Sequence, residues 1–171
     1  MLLYPNENFK SVDQITLEFL KSNKIKALIL DVDNTLIDYD RNMSKKVIEW
    51  SNLVQSSGIK LYILSNTNKK DKVIEVAKKL NIDKYKFFAK KPLKCGFKKA
   101  IKDLNEKNEN IAVVGDQIFT DILGGNRLKL FTILVEPINE KDIFITKVKR
   151  PIENLIINNY LKEKQKRDVG K

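Results

Sequence analysis

The chain has 171 residues, a length typical of one domain, and 42% of them are hydrophobic, enough for one sizeable core. It carries 33 Lys and Arg against 22 Asp and Glu, and this net charge of +11 favours an anionic partner such as nucleic acid, acidic lipid or a phosphorylated substrate. A Lys-rich solvated surface accounts for the same excess without a partner. The single cysteine, Cys95, and the absence of histidine exclude an internal disulfide, cysteine-ligated zinc, His-based triads and His-liganded metals.

Targeting signals are not evident in the sequence. The first ten residues, "MLLYPNENFK", lack a basic region followed by a long apolar segment, so no signal peptide is expected. No apolar run approaches the roughly 20 residues that span a bilayer. The sequence therefore predicts a cytoplasmic protein, and any contact with a membrane is expected to be peripheral, at its inner face.

Apolar runs alternate with amphipathic stretches, a pattern that predicts β-strands alternating with α-helices. The predicted strands are 26–30, 59–64, 85–89, 111–114 and 130–135. The predicted helices are an N-terminal one over about 12–22, then 44–58, 69–82, 93–105 and 118–128, and a basic one over about 151–165. Continuous apolarity in the strands indicates a parallel sheet covered on both faces. We therefore predict an α/β fold, a three-layer α/β/α sandwich on a Rossmann-like parallel sheet of about five strands.

Helix ends are also marked in the sequence. Ser44 is expected to cap the helix over 44–58, and Gly58 to end it. Gly124 and Gly125 suit the C-terminal end of the helix over 118–128.

Polar side chains directly follow three of the predicted strands. Asp31 and Asp33 follow the first, Ser65 and Asn66 the second, and Asp116 lies after the fourth. In a doubly wound sheet the carboxyl ends of the strands converge on one crevice. Each residue alone could simply cap the next helix or form a turn. Three independent strands that end in this way favour a shared site.

The paired acids predict a metal-assisted phosphoryl-transfer site. Asp31 and Asp33 would repel each other if both were ionised, but together with Asp116 they offer hard oxygen ligands suited to Mg²⁺, whose charge removes the repulsion. A carboxylate that faces a phosphate can attack phosphorus and form an aspartyl-phosphate. A second carboxyl two residues on can protonate the leaving oxygen and later deprotonate the attacking water.

Four segments, in order, resemble the motifs of the haloacid dehalogenase (HAD) phosphohydrolases. "DVDNT" resembles the first motif, which implies Asp31 as nucleophile and Asp33 as acid/base. "LYILSNT" resembles the second, which implies that Ser65 binds the transferring phosphoryl group, with Asn66 beside it. "KKPL" resembles the third, which implies that Lys91 holds phosphate and nucleophile together. One D-x-D-x-T pattern is a weak signal, whereas four ordered motifs at strand ends are specific.

The fourth motif and the metal set also come from this resemblance, which covers about residues 25–136. "VVGDQIFTD" implies Asp116 as a magnesium ligand and Asp121 as a residue that completes or supports the metal shell. The main-chain carbonyl of Asp33 would also bind the metal, so the implied metal set is Asp31, Asp33 and Asp116.

Two basic positions have alternatives. Lys90 competes with Lys91, and the position before Pro92 favours Lys91 on the family pattern. Arg127, in "GGNR", could clamp a substrate anion or hold a main-chain carbonyl.

Cap domains, which choose substrates in many HAD enzymes, have no room in this sequence. The intervals 35–44 and 67–90 are too short to hold one. We therefore expect residues 1–171 to form a single capless domain with an open crevice. Such a crevice suits a phospholipid headgroup, a protein or a nucleic-acid end, or a small molecule if another subunit closes the site.

The whole chain, with "GDQIFTDILGGNR" and "TKVKRPIE", resembles the YqeG-type branch of HAD subclass IIIA. That branch is similar to phosphatidylglycerophosphate phosphatases, so the implied substrate is a membrane phospholipid phosphomonoester, and no DNA partner is expected. The C-terminal helix has an apolar stripe for packing on the core or for a membrane surface. Its members are Ile152, Leu155, Ile156 and Tyr160. Basic residues flank this helix at Lys147, Lys149, Arg150, Lys162, Lys164, Lys166 and Arg167.

Two other interpretations remain open from the sequence. The first is a capless HAD phosphatase for a soluble sugar phosphate, a phosphoprotein or a nucleic-acid 3′-phosphate. The second is a basic HAD-derived scaffold that binds RNA or the ribosome, although aromatic stacking platforms and Gly/Arg-rich arms are missing. The oligomeric state is not predicted.

Overall fold

Six parallel strands form one sheet in the computed structural model, which describes residues 2–139 and 144–169 and the side chains of 2–139 and 151–166. The strands are β1 (Glu7–Phe9), β2 (Ala27–Leu30), β3 (Lys60–Leu64), β4 (Tyr85–Lys86), β5 (Ile111–Gly115) and β6 (Phe131–Val135). Their order in the sheet is β1-β6-β5-β2-β3-β4, and every pairing is parallel. The predicted α/β fold is confirmed.

The helices lie between the strands, as the alternating pattern predicts. The α-helices are α1 (Leu17–Ser22), α2 (Lys45–Ser56), α3 (Lys70–Lys79), α4 (Lys94–Leu104), α5 (Leu123–Asn126) and α6 (Phe144–Val169). Two 3₁₀ helices, Val12–Gln14 and Asn108–Asn110, and one π-helix, Ile118–Ile122, complete the regular structure of the described residues.

Five elements differ from the prediction. β4 ends at Lys86 instead of residue 89, and the helix predicted over 118–128 is divided into the π-helix and α5. The N-terminal helix over 12–22 is divided into the 3₁₀ helix and α1, because Thr16 caps α1 by accepting a hydrogen bond from the Phe19 amide. A sixth strand, β1, joins the edge of β6, and its three residues are too few to show an apolar run. The C-terminal helix is longer than predicted and continues through Pro151.

Side chains that alternate along each strand build the three layers. Leu28 and Leu30 of β2 face the core that includes α1, α2 and α3, whereas Ala27 and Ile29 face the core of α4. All four side chains are buried, as expected for a strand covered on both faces. β2 pairs with β5 on one side and β3 on the other, so the chain changes direction across the sheet at the carboxyl end of β2.

Four residues are predicted at helix ends, and the structure shows where each of them lies. Ser44 caps α2 by accepting a hydrogen bond from the Val47 amide, and Gly58 follows the helix with φ +87°, both as predicted. The prediction for Gly124 and Gly125 is wrong, because both lie inside α5 rather than at its end. An added Cβ would lie 2.3 Å from the Phe97 ring at Gly124 and 2.6 Å from Thr132 Cγ2 at Gly125, so these glycines permit close packing.

The apolar stripe of α6 is only partly buried. Ile156 packs with Ile157 against a small cluster that contains Ile118, Ile122 and Leu134, and the Tyr160 ring lies edge-on to that of Tyr4. Ile152 and Leu155 are exposed. The side chains of Lys147, Lys149, Arg150 and Arg167 lie outside the described residues. In the described ranges, no helix has the length and apolar character to cross a membrane.

Candidate active site

Three acidic side chains predicted from two separate motifs meet at the carboxyl edge of the sheet. Asp31 directly follows β2, Asp116 follows β5, and Asp121 lies in the π-helix after it. Each offers a carboxylate oxygen, and the three oxygens lie within 4.8 Å of one another. The cluster could hold a metal ion, because carboxylate oxygens at this separation suit a hard divalent cation.

Lys91 connects two members of this cluster. Its ammonium donates to Asp31 Oδ1 at 2.6 Å and to Asp121 Oδ1 at 2.7 Å, and the lysine side chain is only 3% exposed. Lys90, the competing candidate, is exposed, and its ammonium lies over the Phe88 ring. The structure therefore places Lys91, rather than Lys90, among the acids.

Asp121 enters the cluster because of two local features. The main-chain carbonyl of Gln117 accepts from the amides of both Asp121 and Ile122, a widened turn of the kind often found at functional sites. Gly115 leaves the space that the carboxylate occupies, since an added Cβ would lie 2.3 Å from Asp121 Cγ. The glycine before Asp116 is thus required by the geometry of the site.

Burial and mutual repulsion determine the protonation of these acids. Burial, opposed by Lys91 and assisted by the charge of Asp121, raises the pKa of Asp31 to about 7. Burial and the charges of Asp31 and Asp121 raise the pKa of Asp116 well above its usual range. Burial alone would lower the pKa of Lys91, but the carboxylates of Asp121 and Asp31 outweigh it and raise that pKa. Lys91 therefore remains charged.

The charge balance of the cluster fits a divalent cation. Among the described side chains, three carboxylates and one ammonium meet here, so full ionisation leaves an excess of two negative charges. A dication would neutralise that excess and favour the ionised acids.

The Asp33 carboxylate is not among the three clustered acids, and it has a partner that the sequence did not reveal. Its carboxylate forms an ion pair with Lys72 of α3, whose side chain is 14% exposed. Thr35 also contacts an acid of the cluster, because its hydroxyl donates to Asp116 Oδ1 at 3.2 Å. Thr35 belongs to the "DVDNT" segment, so its proximity had a sequence signal, whereas Lys72 resembles the other lysines of an amphipathic helix.

The two predicted phosphate-binding residues after β3 have different contacts. Ser65 is fully buried, and its hydroxyl accepts from the Thr67 amide at 3.1 Å. The Asn66 side chain accepts from the Lys91 amide at 2.6 Å and donates to the Lys91 carbonyl at 3.0 Å. In this structure Asn66 holds the main chain of Lys91 in place.

Arg127 adopts the second of its two predicted roles. Its side chain is directed to the segment that carries Lys91, where Nη1 donates to the Pro92 carbonyl at 3.3 Å. The hydrogen bond links the end of α5 to this segment, and the substrate contact of Arg127 stays a prediction.

The family of the chain is established by its sequence. A model of the mitochondrial PGP phosphatase family matches residues 1–139, which include every member of the acidic cluster. The chain belongs to the mitochondrial PGP phosphatase family. It is therefore a HAD-type phosphatase, a phosphoric monoester hydrolase, and the predicted family resemblance is confirmed.

Known relatives agree with this membership, and one solved structure shares the fold. The chain is 39% identical over 155 residues to "Probable phosphatase YqeG" of Bacillus subtilis (strain 168), which covers 90% of this chain and 89% of that protein. It is 25% identical to "Phosphatidylglycerophosphate phosphatase 1, chloroplastic/mitochondrial" of Arabidopsis thaliana, over 93% of this chain but only 48% of the plant protein. The crystal structure of an uncharacterized protein from Listeria monocytogenes serotype 4b shares the fold, with a TM-score of 0.56, 20% identity and coverage of 70% of this chain and 85% of that one.

Proposed function

We propose that this PGP phosphatase family member is a Mg²⁺-dependent phosphomonoesterase that dephosphorylates phosphatidylglycerophosphate to phosphatidylglycerol at the inner face of a membrane. The observation that carries the catalytic part is the cluster of Asp31, Asp121 and Lys91, all buried, with the partly buried Asp116. We also propose that residues 1–171 act as one capless domain.

The proposed reaction uses Asp31 and Asp33 in two steps. Asp31 attacks phosphorus, and the bond to the leaving oxygen breaks as Asp33 donates a proton to that oxygen. Asp33 then takes a proton from water, whose oxygen attacks phosphorus and breaks the bond to Asp31. Inorganic phosphate leaves, and Asp31 is regenerated as a carboxylate. Lys91, already bound to Asp31, would also bind the phosphoryl oxygens, with Ser65 as a further donor.

The metal would be held by Asp31 and Asp116, with the main-chain carbonyl of Asp33 and with Asp121 completing or supporting the set. Bound Mg²⁺ supplies positive charge that stabilises the phosphoryl oxygens in the transition state. Without it, the raised pKa values of Asp31 and Asp116 favour protonated acids, which are poor nucleophiles and ligands.

The substrate proposal is supported by the family and by the plant relative that carries this activity in its name. The net charge of +11 is consistent with a substrate in an anionic membrane. No DNA partner is proposed.

One assay tests the proposal directly. Phosphate release is measured with phosphatidylglycerophosphate, a sugar phosphate, a phosphopeptide and a 3′-phosphorylated DNA oligonucleotide, with Mg²⁺ and with excess chelator. We expect release to be fastest from the lipid and to be absent with chelator or in Asp31→Asn, because an amide cannot attack phosphorus. Full activity with chelator, or in an Asp31→Asn sample free of deamidated protein, would refute the mechanism. Preference for another substrate would refute the lipid assignment alone.

A further inference from the structure

The segment that carries Lys91 displays two exposed apolar side chains beside the crevice. Phe88 is 54% exposed and Leu93 is 52% exposed. Phe88 lies three residues before Lys91, and Leu93 lies two residues after it. Chain length alone therefore keeps the Cα atom of each within about 10 Å of the Lys91 Cα atom. Single exposed apolar residues are common on protein surfaces. These two, however, flank the lysine that binds Asp31 and Asp121.

The backbone at Phe88 is in a conformation that bulky residues rarely adopt. Its φ is +49°, and that of Lys90 is +56°. The Lys90 ammonium lies 5.0 Å from the centroid of the Phe88 ring. An exposed ring on a strained backbone contributes little to folding, and strain of this kind concentrates where proteins bind ligands. The combination indicates a binding role.

Hydrogen bonds and close packing hold this segment in place. The Phe88 amide donates to the Thr67 carbonyl at 2.8 Å, and the Ala89 amide donates to the Ser65 carbonyl at 2.9 Å. α4 packs directly beneath, since a Cβ added at Gly96 would lie 2.7 Å from the Ala89 carbonyl oxygen. The Phe88 ring is therefore presented by an ordered main chain.

The sequence around this segment is strongly basic, and Asp103, the next acidic residue along the chain, pairs with Lys99. Between Asp83 and Asp103 the sequence contains eight lysines and no acidic residue. The lysines are Lys84, Lys86, Lys90, Lys91, Lys94, Lys98, Lys99 and Lys102. Apolar side chains surrounded by lysines are typical of protein surfaces that bind an anionic lipid interface.

The apolar surface extends along β4, the edge strand of the sheet. Phe88 borders a groove of about 330 Å³. The groove is lined by Tyr62, Tyr85, Lys86, Phe87, Phe88 and Lys99. The exposed ring thus belongs to a larger aromatic surface.

We propose that residues 86–94, the docking loop, bind an anionic phospholipid bilayer, with Phe88 and Leu93 inserted at the interface and Lys90 and Lys94 among the headgroups. The inference rests on the proposed function, because the docking loop contains Lys91 and would bring the crevice to the interface that holds a lipid phosphomonoester. Single-stranded RNA would also favour aromatic and basic residues, but Leu93 has no ring on which a base could stack.

The docking loop and the basic end of α6 contact different strands of the sheet. Lys164 of α6 contacts Glu7 and Asn8 of β1, whereas the loop follows β4. These two strands are at opposite edges of the sheet, about 24 Å apart across five strand spacings. The two surfaces can therefore be altered separately.

The test is flotation of the full chain with two kinds of vesicle. One contains equal parts of phosphatidylglycerol and phosphatidylcholine, and the other contains phosphatidylcholine alone. Phe88→Ser combined with Leu93→Ser removes the apolar contacts, and Leu53→Ser is its control, since Leu53 is 55% exposed on α2.

A second pair of variants tests the charge. Lys90→Gln combined with Lys94→Gln is compared with Lys26→Gln combined with Lys107→Gln, exposed lysines that precede β2 and β5. Circular dichroism confirms the folding of every variant. Hydrolysis of 4-nitrophenyl phosphate is measured in parallel as the readout of the proposed phosphatase.

We expect the wild type to float with the anionic vesicles and each loop variant to bind them about tenfold more weakly. Both controls should bind as the wild type does. The loss in the lysine variant should diminish at high salt, and the loss in the apolar variant should not.

Unchanged vesicle binding by folded loop variants, or equal losses in the controls, would overturn the proposal. So would loop variants that lose binding to a single-stranded RNA oligonucleotide but not to vesicles. If the apolar variant does not fold, the lysine pair still decides the outcome. Absent 4-nitrophenyl phosphate hydrolysis would count against the proposed function, and vesicle binding would still decide the docking loop.

Discussion

At the scale of single residues, similar lysines have very different surroundings. Lys91 is identifiable from the sequence because it precedes Pro92 in a motif, and the structure places it between two carboxylates. Lys72 could not be identified, since a lysine in the first turn of an amphipathic helix resembles its solvated neighbours. Only the packing of α3 shows that this ammonium pairs with Asp33.

The contact of Lys72 leads to the first prediction. Lys72→Met should lower kcat by about tenfold or more, because Asp33 loses the cation that fixes its position for proton transfer. The loss should be larger for phenyl phosphate than for 4-nitrophenyl phosphate, whose leaving group needs less protonation. Lys70→Met, an exposed neighbour on the same helix, is the control and should have little effect. Equal losses with both substrates would show that Lys72 does not act through Asp33.

A second prediction concerns the buried acids. The folded-state pKa of Asp31, about 7, and that of Asp116 lie above the ordinary aspartate pKa of 3.8. In the metal-free protein, protonation of these two acids contributes its full stabilisation below pH 3.8. This contribution to the free energy of unfolding is lost as the pH rises through the folded-state pKa values. Each pH unit between the two pKa values costs about 1.4 kcal/mol per group.

Asp116→Asn should therefore stabilise the metal-free protein relative to wild type, and the difference should grow as the pH rises above 3.8, the ordinary pKa of an aspartate. Urea unfolding in excess chelator measures the free energy of unfolding of both proteins. Added Mg²⁺ should stabilise the wild type more at the higher pH and should have less effect on the variant. A difference that does not depend on pH would show that Asp116 titrates near its ordinary value.

At the scale of elements, strands with long apolar runs are predictable, and short or irregular segments are not. β2, β3, β5 and β6 all lie within a residue or so of their predicted bounds. β4 shrinks to two residues, because the rest of its predicted run turns into the docking loop with positive φ at Phe88. The sequence of the π-helix predicts an ordinary α-helix, because the widened turn depends on tertiary contacts of Asp121.

The close approach of Gly115 and Asp121 gives the third prediction. Gly115→Ala should displace the Asp121 carboxylate from Lys91, because the new Cβ would overlap it. The magnesium concentration for half-maximal activity should rise by about tenfold or more, the usual effect of disturbing a metal's supporting residues. Gly58→Ala is the matched control. It has open space but φ +87°, so it should lower stability by about 1 kcal/mol and leave the magnesium response unchanged. An unchanged response in Gly115→Ala would argue against Asp121 as a support of the metal.

At the scale of the whole molecule, the convergence of the site was predictable because parallel strands bring distant motifs to one edge. The contacts of the C-terminal helix were not, since helical spacing marks a stripe without specifying what covers it. Ile156 and Tyr160 pack, whereas Ile152 and Leu155 remain exposed.

The last prediction concerns the basic end of α6. Removing residues 161–171 deletes Lys162, Lys164, Lys166, Arg167 and Lys171, and it keeps Tyr160 and the packed part of the helix. Each lysine near an anionic membrane contributes about 1 kcal/mol of attraction, so sedimentation with phosphatidylglycerol vesicles and turnover of the lipid should both fall. Lys164 should contribute least, because it already pairs with Glu7.

Hydrolysis of 4-nitrophenyl phosphate by the truncated chain should be nearly unchanged, since all the acids of the cluster lie before residue 122. Lys162→Gln combined with Lys166→Gln, which keeps the helix, should reproduce most of the loss, and high salt should mimic it in the wild type. Equal loss of lipid and aryl phosphate turnover on truncation would mean that the segment stabilises the fold. Unchanged lipid turnover would leave the docking loop as the proposed membrane contact that brings the crevice to its substrate.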